Sequence, residues 1–375
     1  MPTRLSTPAG IQNETRDTTA VSVKGKWVKA PAFDVNGTTI LIRGRWIRQA
    51  TVQSEEWLES ELENPEACVG RLKEQKARRL RADIFTFTQK IPATIPKYTY
   101  AMEWESVAVA RITGFQEWWE DLPQESRKNV RRSQKRGVVV KLEEFNDDLV
   151  RKIVDVNNDS PVRQGRRFTH YRKTFDQVKL DHSSFADRSD FVCAYFNDEL
   201  IGFLKIVYRG ETASIMQLLS KAIHYDKRPS NALVAKAIEL CHAKGINYVT
   251  YGKFNYGNER DRSIRDFKTR HGFQEVLLPR FYVPLTHWGR VCIKLKFHRG
   301  LKRFLPRSVI VLGVSARAKW YDLRAFISRC SSMPERSIRN RQTGCSNPPA
   351  GSSLNARMLP SEGERESAAR ASNLN

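Results

Sequence analysis

Residues 190–286 constrain the fold more than any other part of the chain. FVCAYF reads as a strand, Asn197-Asp198 as a tight turn and LIGFLKIVY as the returning strand. Arg209-Gly210 turns again into a third strand, TASIMQLLS. HYDKRPS then leads into NALVAKAIELCHAKG, where Leu233, Ala237, Leu240 and Cys241 share one helical face; Ser230 is the expected N-cap and Gly245 the expected stop. INYVTYG follows as a buried strand, NERDRSIRDFKTRHG as a charged helix and FQEVLLPRFYVPLT as a closing strand. An antiparallel meander that turns into helical crossovers predicts an α/β protein with a mixed sheet flanked by helices.

The preceding residues read as two further regions. Residues 1–20 are polar and aperiodic, and are expected to be disordered. Residues 21–95 are expected to form a small α/β unit, with Asn36-Gly37 as a hairpin turn between alternating strands. Within it SEEWLESELENPEACVGRLKEQ is read as a helix capped by Ser54 and interrupted near Pro65, and ADIFTFTQKIPA as a strand. The main domain is placed at 96–286. It opens with the strand-like TYAMEWESVAVARI, a helical stretch through 112–137, the strand VVVKLEEF and a helix opened by Asn146.

Composition excludes several classes. No run of about 18 apolar residues occurs, so the sequence shows no candidate membrane span. The N-terminus has no apolar run of signal-peptide length, and a cytoplasmic location is the expectation. The six cysteines are never closer than 15 residues, so zinc-ligand spacing is absent and no metal is expected; Cys193 and Cys241 read as small core residues. GxSxG, HExxH, a P-loop and GxGxxG are all missing, which argues against hydrolase, metalloprotease, NTPase and dehydrogenase chemistry.

The formal charge of +23 is unevenly placed. Residues 287–330 carry eleven Lys or Arg against one acid. Their mixture of basic and apolar residues predicts either an amphipathic extension lying on an anionic membrane face, or one folding back over the N-terminal strands. Residues 331–375, rich in Ser, Asn, Pro, Arg and Ala, are expected to be a disordered tail. RKNVRRSQKRG has no acid and no interleaved aromatic, so it offers charge to a phosphate but no platform for base stacking.

ELIGFLKIV, DKRPSNALVAKAIELCHAKG, YVTYGKFNYGN and FKTRHGF together resemble the GNAT-fold acyltransferases, and in particular the branch related to the FemAB aminoacyl-transferases. The features that carry it are Tyr251-Gly252 at a strand end, then Phe267-Lys268 and Gly272-Phe273. The resemblance covers about half the chain and implies transfer of an acyl group from acyl-CoA, acetyl-CoA for example, to an amine on a sugar, amino acid or cell-envelope precursor. For the FemAB-related branch it implies an aminoacyl donor on tRNA instead. A third alternative is a non-catalytic module that binds nucleic acid or membrane.

In GNAT enzymes a [QR]-x-x-G-x-[GA] string cradles the donor pyrophosphate. Laid on this sequence it becomes Lys227-Arg228-Pro229-Ser230-Asn231-Ala232, with Ser230 where the first glycine should be. Two cations at a helix N-terminus still form an anion site, although the missing glycine holds the backbone further from a phosphate. Lys227, Arg228, Ser230, Asn231 and Ala232 are therefore the expected donor-binding residues. His224 and Asp226, just ahead of that loop, are proton-transfer candidates against the alternative of a solvated loop. The resemblance adds Tyr256 as the acid, and Asn258 and Lys268 as substrate-binding residues. For these the alternatives are a packed loop tyrosine, a helix N-cap and a solvated helix with paired charges, while Glu211 is a rival base or ordinary turn chemistry.

Overall fold

A computed structural model of the chain describes residues 18–299, apart from 24–25, 54–60, 76, 164–165 and 256–261. The expectations for residues 1–17 and for those beyond 299, including the tail at 331–375, lie outside the described residues. Among the described residues no helix is long and apolar enough to cross a membrane.

The N-terminal part supplies β1 (Thr18–Val23), β2 (Lys26–Val35), β3 (Thr38–Arg43) and β4 (Gln49–Val52). Strand β1 thus starts inside the stretch expected to be disordered. The β2–β3 hairpin turns on Asn36 and Gly37, both at positive φ, as the Asn-Gly pair predicts. Helix α1 (Pro65–Glu74) carries Pro65 in its first turn, while the earlier part of the expected helix, 54–60 with its Ser54 cap, lies outside the described residues. A first-turn proline loses no intrahelical bond, and Asn64 supplies the cap by accepting from the Ala67 amide at 2.8 Å. Strand β5 (Ile84–Thr88) then pairs parallel to β4.

The remaining strands are β6 (Ala101–Arg111), β7 (Val139–Glu143), β10 (Ser189–Phe196), β11 (Glu199–Arg209), β12 (Thr212–Ser220), β13 (Tyr248–Lys253) and β14 (Gln274–Pro284). A two-residue pair, β8 (Val162–Arg163) and β9 (Arg166–Arg167), stands apart. All others form one twelve-stranded mixed sheet in the order β1-β2-β3-β4-β5-β14-β6-β13-β12-β11-β10-β7. The strands of residues 21–95 are joined to those of 96–286 through β14, which pairs with β5 on one side and β6 on the other. A mixed sheet flanked by helices is the fold class that the sequence predicts.

The helices are α2 (Phe115–Asp121), α3 (Gln124–Lys135), α4 (Asp147–Asn158), α5 (Phe175–His182), α6 (Pro229–Ala243), α7 (Arg262–Arg270) and α8 (His287–Lys294). The stretch expected to be helical through 112–137 is two helices, divided at Pro123. Helix α4 is opened by Asn146 as read, its side chain accepting from the Leu149 amide at 2.9 Å. Alternation along β10 sorts its residues onto two faces. Val192 and Ala194 join Trp118, Val130 and the α6 row Leu233, Ala237 and Cys241 in one core. Phe191 and Cys193 join Leu149 and Ile153 of α4 and Val178 of α5 in another. A third core lies beneath the N-terminal strands, with Ile40, Phe85, Phe87 and Phe281. Cys193 and Cys241 are both fully buried, as the small-core reading predicts.

Candidate functional site

Strands β12 and β13 run parallel and pair over only three positions, Thr212–Ser214 against Tyr248–Thr250. Beyond them β12 continues to Ser220 and β13 to Lys253 without pairing to each other. Each strand is irregular where they part. The β11 register shifts so that Met216 has no partner, and the β6 register shifts across Tyr251-Gly252. Gly252 holds φ +57, a left-handed conformation that costs a residue with a Cβ about 1 kcal/mol or more. Where the two strands part, they leave room between them for an extended segment.

The gap opens into a cleft of about 1250 Å³. Its walls include Met216, Gln217 and Leu218 of β12, Tyr251 and Lys253 of β13, and Glu103, Trp104, Glu105 and Ser106 of β6. Glu275, Arg280 and Tyr282 of β14 and Arg43, Gln49 and Thr86 of the N-terminal strands complete one side, with His170, Asp181 and His298 nearby. Glu105 is the electrostatic centre. Arg280 donates to it through Nε at 2.8 Å, and Lys253 Nζ lies 3.3 Å away. Burial pushes its carboxyl up, but the charges of Arg280 and Lys253 outweigh burial and hold it below the usual carboxylate range. Glu105 is therefore an anion at neutral pH and no general acid. The Ser106 hydroxyl donates to Glu275 at 2.5 Å and accepts from the Asn255 amide at 3.0 Å, which fixes the chain leaving β13. His298 Nε2 lies 2.8 Å from Glu103, which also receives Arg299.

The sequence reading did not pick out Glu103, Glu105, Arg280 or His298. One signal was available. Glu103 and Glu105 alternate within a strand, which places both on one face of the sheet, the one away from the core residues Ala108 and Ala110.

Lys268 is not the solvated helix residue that its charged neighbours suggested. It is 1% exposed, and its ammonium donates to the carbonyls of Tyr251 at 2.5 Å and Lys253 at 2.7 Å. Burial pushes its pKa down to about 8. Those two carbonyls flank Gly252, so Lys268 shapes the divergent end of β13 from behind; it is a positioning residue of the cleft wall.

At the start of α6 the expected donor-binding residues are together, but several already have protein partners. Arg228 occupies the N-cap in a left-handed conformation, and Ser230 falls inside the first turn, which corrects its reading as N-cap. The Ser230 hydroxyl lies 2.8 Å from that of Ser220, and the Asn231 amide 3.0 Å from His271 Nε2. Ala232 is buried in the core. Lys227 sits over the Phe196 ring and 3.5 Å from Asp226, while Arg228 is exposed.

His224 and Asp226 do not line the cleft. His224 Nε2 faces Glu199 at 3.2 Å, and Asp226 receives Arg136 and Lys227. Glu211 follows the turn at Gly210, and its carbonyl accepts from the Asn247 and Tyr248 amides. Tyr256 and Asn258 lie outside the described residues. Among the described residues no group of His, Cys, Asp and Glu is arranged to hold a metal.

No family model matches the chain, and no curated protein matches it. Solved structures similar to it include FemX, at 10% identity with a TM-score of 0.45, covering 70% of this chain and 88% of that one. L-PGS from Bacillus licheniformis is similar at 13% identity and a TM-score of 0.45, covering 72% and 88%. A tandem GNAT protein from the clavulanic acid biosynthesis pathway aligns at 10% identity and a TM-score of 0.40, covering 73% and 85%.

Proposed function

We propose that the chain is an acyltransferase whose donor enters between β12 and β13 and whose acceptor amine meets it in the cleft. The observation that carries this reading is the three-residue pairing of β12 with β13 followed by their divergence. An extended donor arm laid between the strands can hydrogen-bond to both edges, which holds an acyl carbonyl in a fixed place. The acceptor ammonium is drawn by the carboxylates of Glu103, Glu105 and Glu275. Once it has lost a proton, its nitrogen attacks the acyl carbon. The bond to the donor sulfur breaks as the amide forms, and the departing thiolate takes up a proton.

Glu275, already oriented by Ser106, is our candidate to receive the ammonium proton. Tyr256, which follows Asn255 by one residue, remains the candidate acid for the leaving group. The donor is acyl-CoA, its phosphates taken by the N-terminus of α6 with Lys227, exposed Arg228, Ser230, Asn231 and Ala232 around it. The acceptor class is an amine on a sugar, amino acid or cell-envelope precursor, with Asn258 as a contact.

One observation favours a second reading, aminoacyl transfer from tRNA. The side chains of Ser230 and Asn231 are already engaged by Ser220 and His271, which leaves less at α6 for a pyrophosphate. In that case the leaving group is a ribose hydroxyl, and the exposed cations of α3 are available to phosphates.

Thermal unfolding of the full chain with acetyl-CoA, free coenzyme A and aminoacylated tRNA separates the two readings. A donor at about 100 times its dissociation constant stabilises by about 2.7 kcal/mol. Stabilisation by both coenzyme A forms is the expected result. A salt-sensitive shift with tRNA alone transfers the assignment to the second reading, and no shift with any donor overturns both.

A further inference from the structure

Three segments distant in sequence meet at one end of strands β3, β4, β5 and β14. The loop of residues 43–48 carries Trp46, 66% exposed, whose ring contacts that of Trp288 edge-on at 6.3 Å. Trp288 donates its indole N–H to the Trp46 carbonyl at 3.2 Å, which fixes the two rings together. Gly44 makes this loop possible, since at its φ of +100 a Cβ would lie 2.1 Å from the Ile47 carbonyl. Arg48 of the same loop donates to the carbonyls of Arg78 and Arg79, which brings the third segment alongside.

Helix α8 is held by its backbone rather than by a buried apolar stripe. Gly289 lies so close to the Asp83 carbonyl that a Cβ there would stand 1.9 Å from it. The Thr286 cap donates from its hydroxyl to the Asp83 carboxylate at 2.9 Å and accepts from the Gly289 amide at 3.0 Å. Mounted this way, the helix leaves Trp288, Val291 and Leu295 exposed, at spacings that set them along one side. Around these apolar residues stand exposed Arg45, Arg78, Arg79, Arg81, Arg290 and Lys294. Segments 43–48, 78–83 and 287–299 contain ten Lys or Arg and a single acid, Asp83. That acid is turned inward to the Arg48 amide and to Thr286.

We infer that this face docks on an anionic lipid bilayer, with Trp46 and Trp288 at the headgroup level and Val291 and Leu295 reaching the acyl boundary. An apolar row set in a field of cations matches the layering of such a surface, where apolar burial and charge attraction act together. A nucleic acid would use the cations and could stack on the tryptophans, but it has nothing to offer the aliphatic Val291 and Leu295. The bound lipid surface would lie beside the cleft, because Arg43 and Gln49, which flank the Trp46 loop, both line it. The docking is independent of the acyl-transfer reading, since it uses none of the residues at the β12–β13 divergence.

Co-flotation of the full chain with vesicles tests it, with no acyl donor present. The vesicles are either phosphatidylcholine alone or phosphatidylcholine with about one third phosphatidylglycerol, the fraction being chosen to raise the surface potential. Binding to the anionic vesicles only is expected, with a blue shift of tryptophan emission. Val291→Gln with Leu295→Gln leaves every charge in place and should weaken binding at least tenfold. Trp46→Ala alone should weaken it less and diminish the emission shift. Circular dichroism of each variant checks that the fold is kept. Undiminished binding by the Gln variant would mean that basic residues elsewhere carry the chain to the membrane, and would overturn the inference. So would an emission shift produced by tRNA and not by vesicles.

Discussion

The Lys268 ammonium lies 2.5 Å from the main-chain carbonyl of Tyr251, and the same ammonium reaches Lys253 on the far side of Gly252. A buried cation on α7 thus fixes the point at which β13 leaves β12. Replacing Lys268 by Met orphans these two carbonyls, and each unsatisfied buried acceptor costs about 1–3 kcal/mol. We expect Lys268→Met to lose roughly 2–4 kcal/mol in urea unfolding and to weaken donor binding with it.

The same lysine gives a pH signature of known sign. Its folded pKa is near 8. The unfolded value is about 10.4, so between these values the unfolded chain binds more protons and stability rises with pH. The stability of the native protein relative to Lys268→Met should therefore increase between about pH 8 and pH 10, by at most ~3 kcal/mol. A neutral amine still offers two N–H donors for the two carbonyls, which is why the interaction survives deprotonation. A flat difference across this window would contradict the assignment.

At acid pH two buried histidines, His271 and His182, lower the stability. The His271 ring donates from Nδ1 to the Phe267 carbonyl at 2.7 Å and accepts from Asn231 at Nε2. Burial pushes its pKa down to about 4, and that of the buried His182 to about 3. Both are neutral in the folded state and protonate first in the unfolded chain. Stability contributed by them is present above about pH 6.5 and is lost as pH falls towards 4, by up to ~3 kcal/mol for His271. Guanidinium titrations at pH 7 and pH 4.5 should show this loss, and it should shrink in His271→Gln.

Arg280 and Glu105 form a second, half-buried dependency. Both side chains are 15% exposed, so removing Arg280 strands an anion in the cleft wall, where Lys253 is the cation left to it among the described residues. Arg280→Met should cost about 3 kcal/mol, and adding Glu105→Gln to it should restore much of the loss. If the double variant is no better than the single one, the pair is not coupled as described.

Gly289→Ala should displace α8, because the new methyl would overlap the Asp83 carbonyl. Backbone cannot yield as a flexible side chain can, and overpacking of this kind costs about 1–3 kcal/mol. The expected readout is a lowered midpoint together with weaker vesicle binding. Unchanged vesicle binding would show that α8 is not the docking element.

Most of the fold was legible because its signals are local. The Asn36-Gly37 and Asn197-Asp198 turns, the Asn146 cap and the α6 apolar face each need only neighbouring residues, and all four are present. Among the described residues the helix read around Pro65 begins at that proline, because a first-turn position loses no intrahelical bond to it. The cleft was far less legible. Its centre joins Glu105 of β6 to Arg280 of β14, 175 residues apart, and no local pattern links the two. The Gly-to-Ser change at Ser230 was visible, but its meaning depends on Ser220, ten residues upstream, closing a hydroxyl pair with it. For Lys268 the solvated-helix alternative rested on charged neighbours on a short helix, whereas its own face turns inward to β13.

Hydrogen exchange with and without acetyl-CoA tests the central claim most directly. Met216–Leu219 of β12 and Tyr251–Lys253 of β13 lie beyond the last pairing of the two strands, at Ser214 and Thr250. A donor arm laid there should protect these two short stretches selectively, while the outer β10–β11 ladder stays unchanged. Protection confined to other elements, or none at a donor concentration that stabilises the fold, would contradict the proposal that the acyl donor enters between β12 and β13.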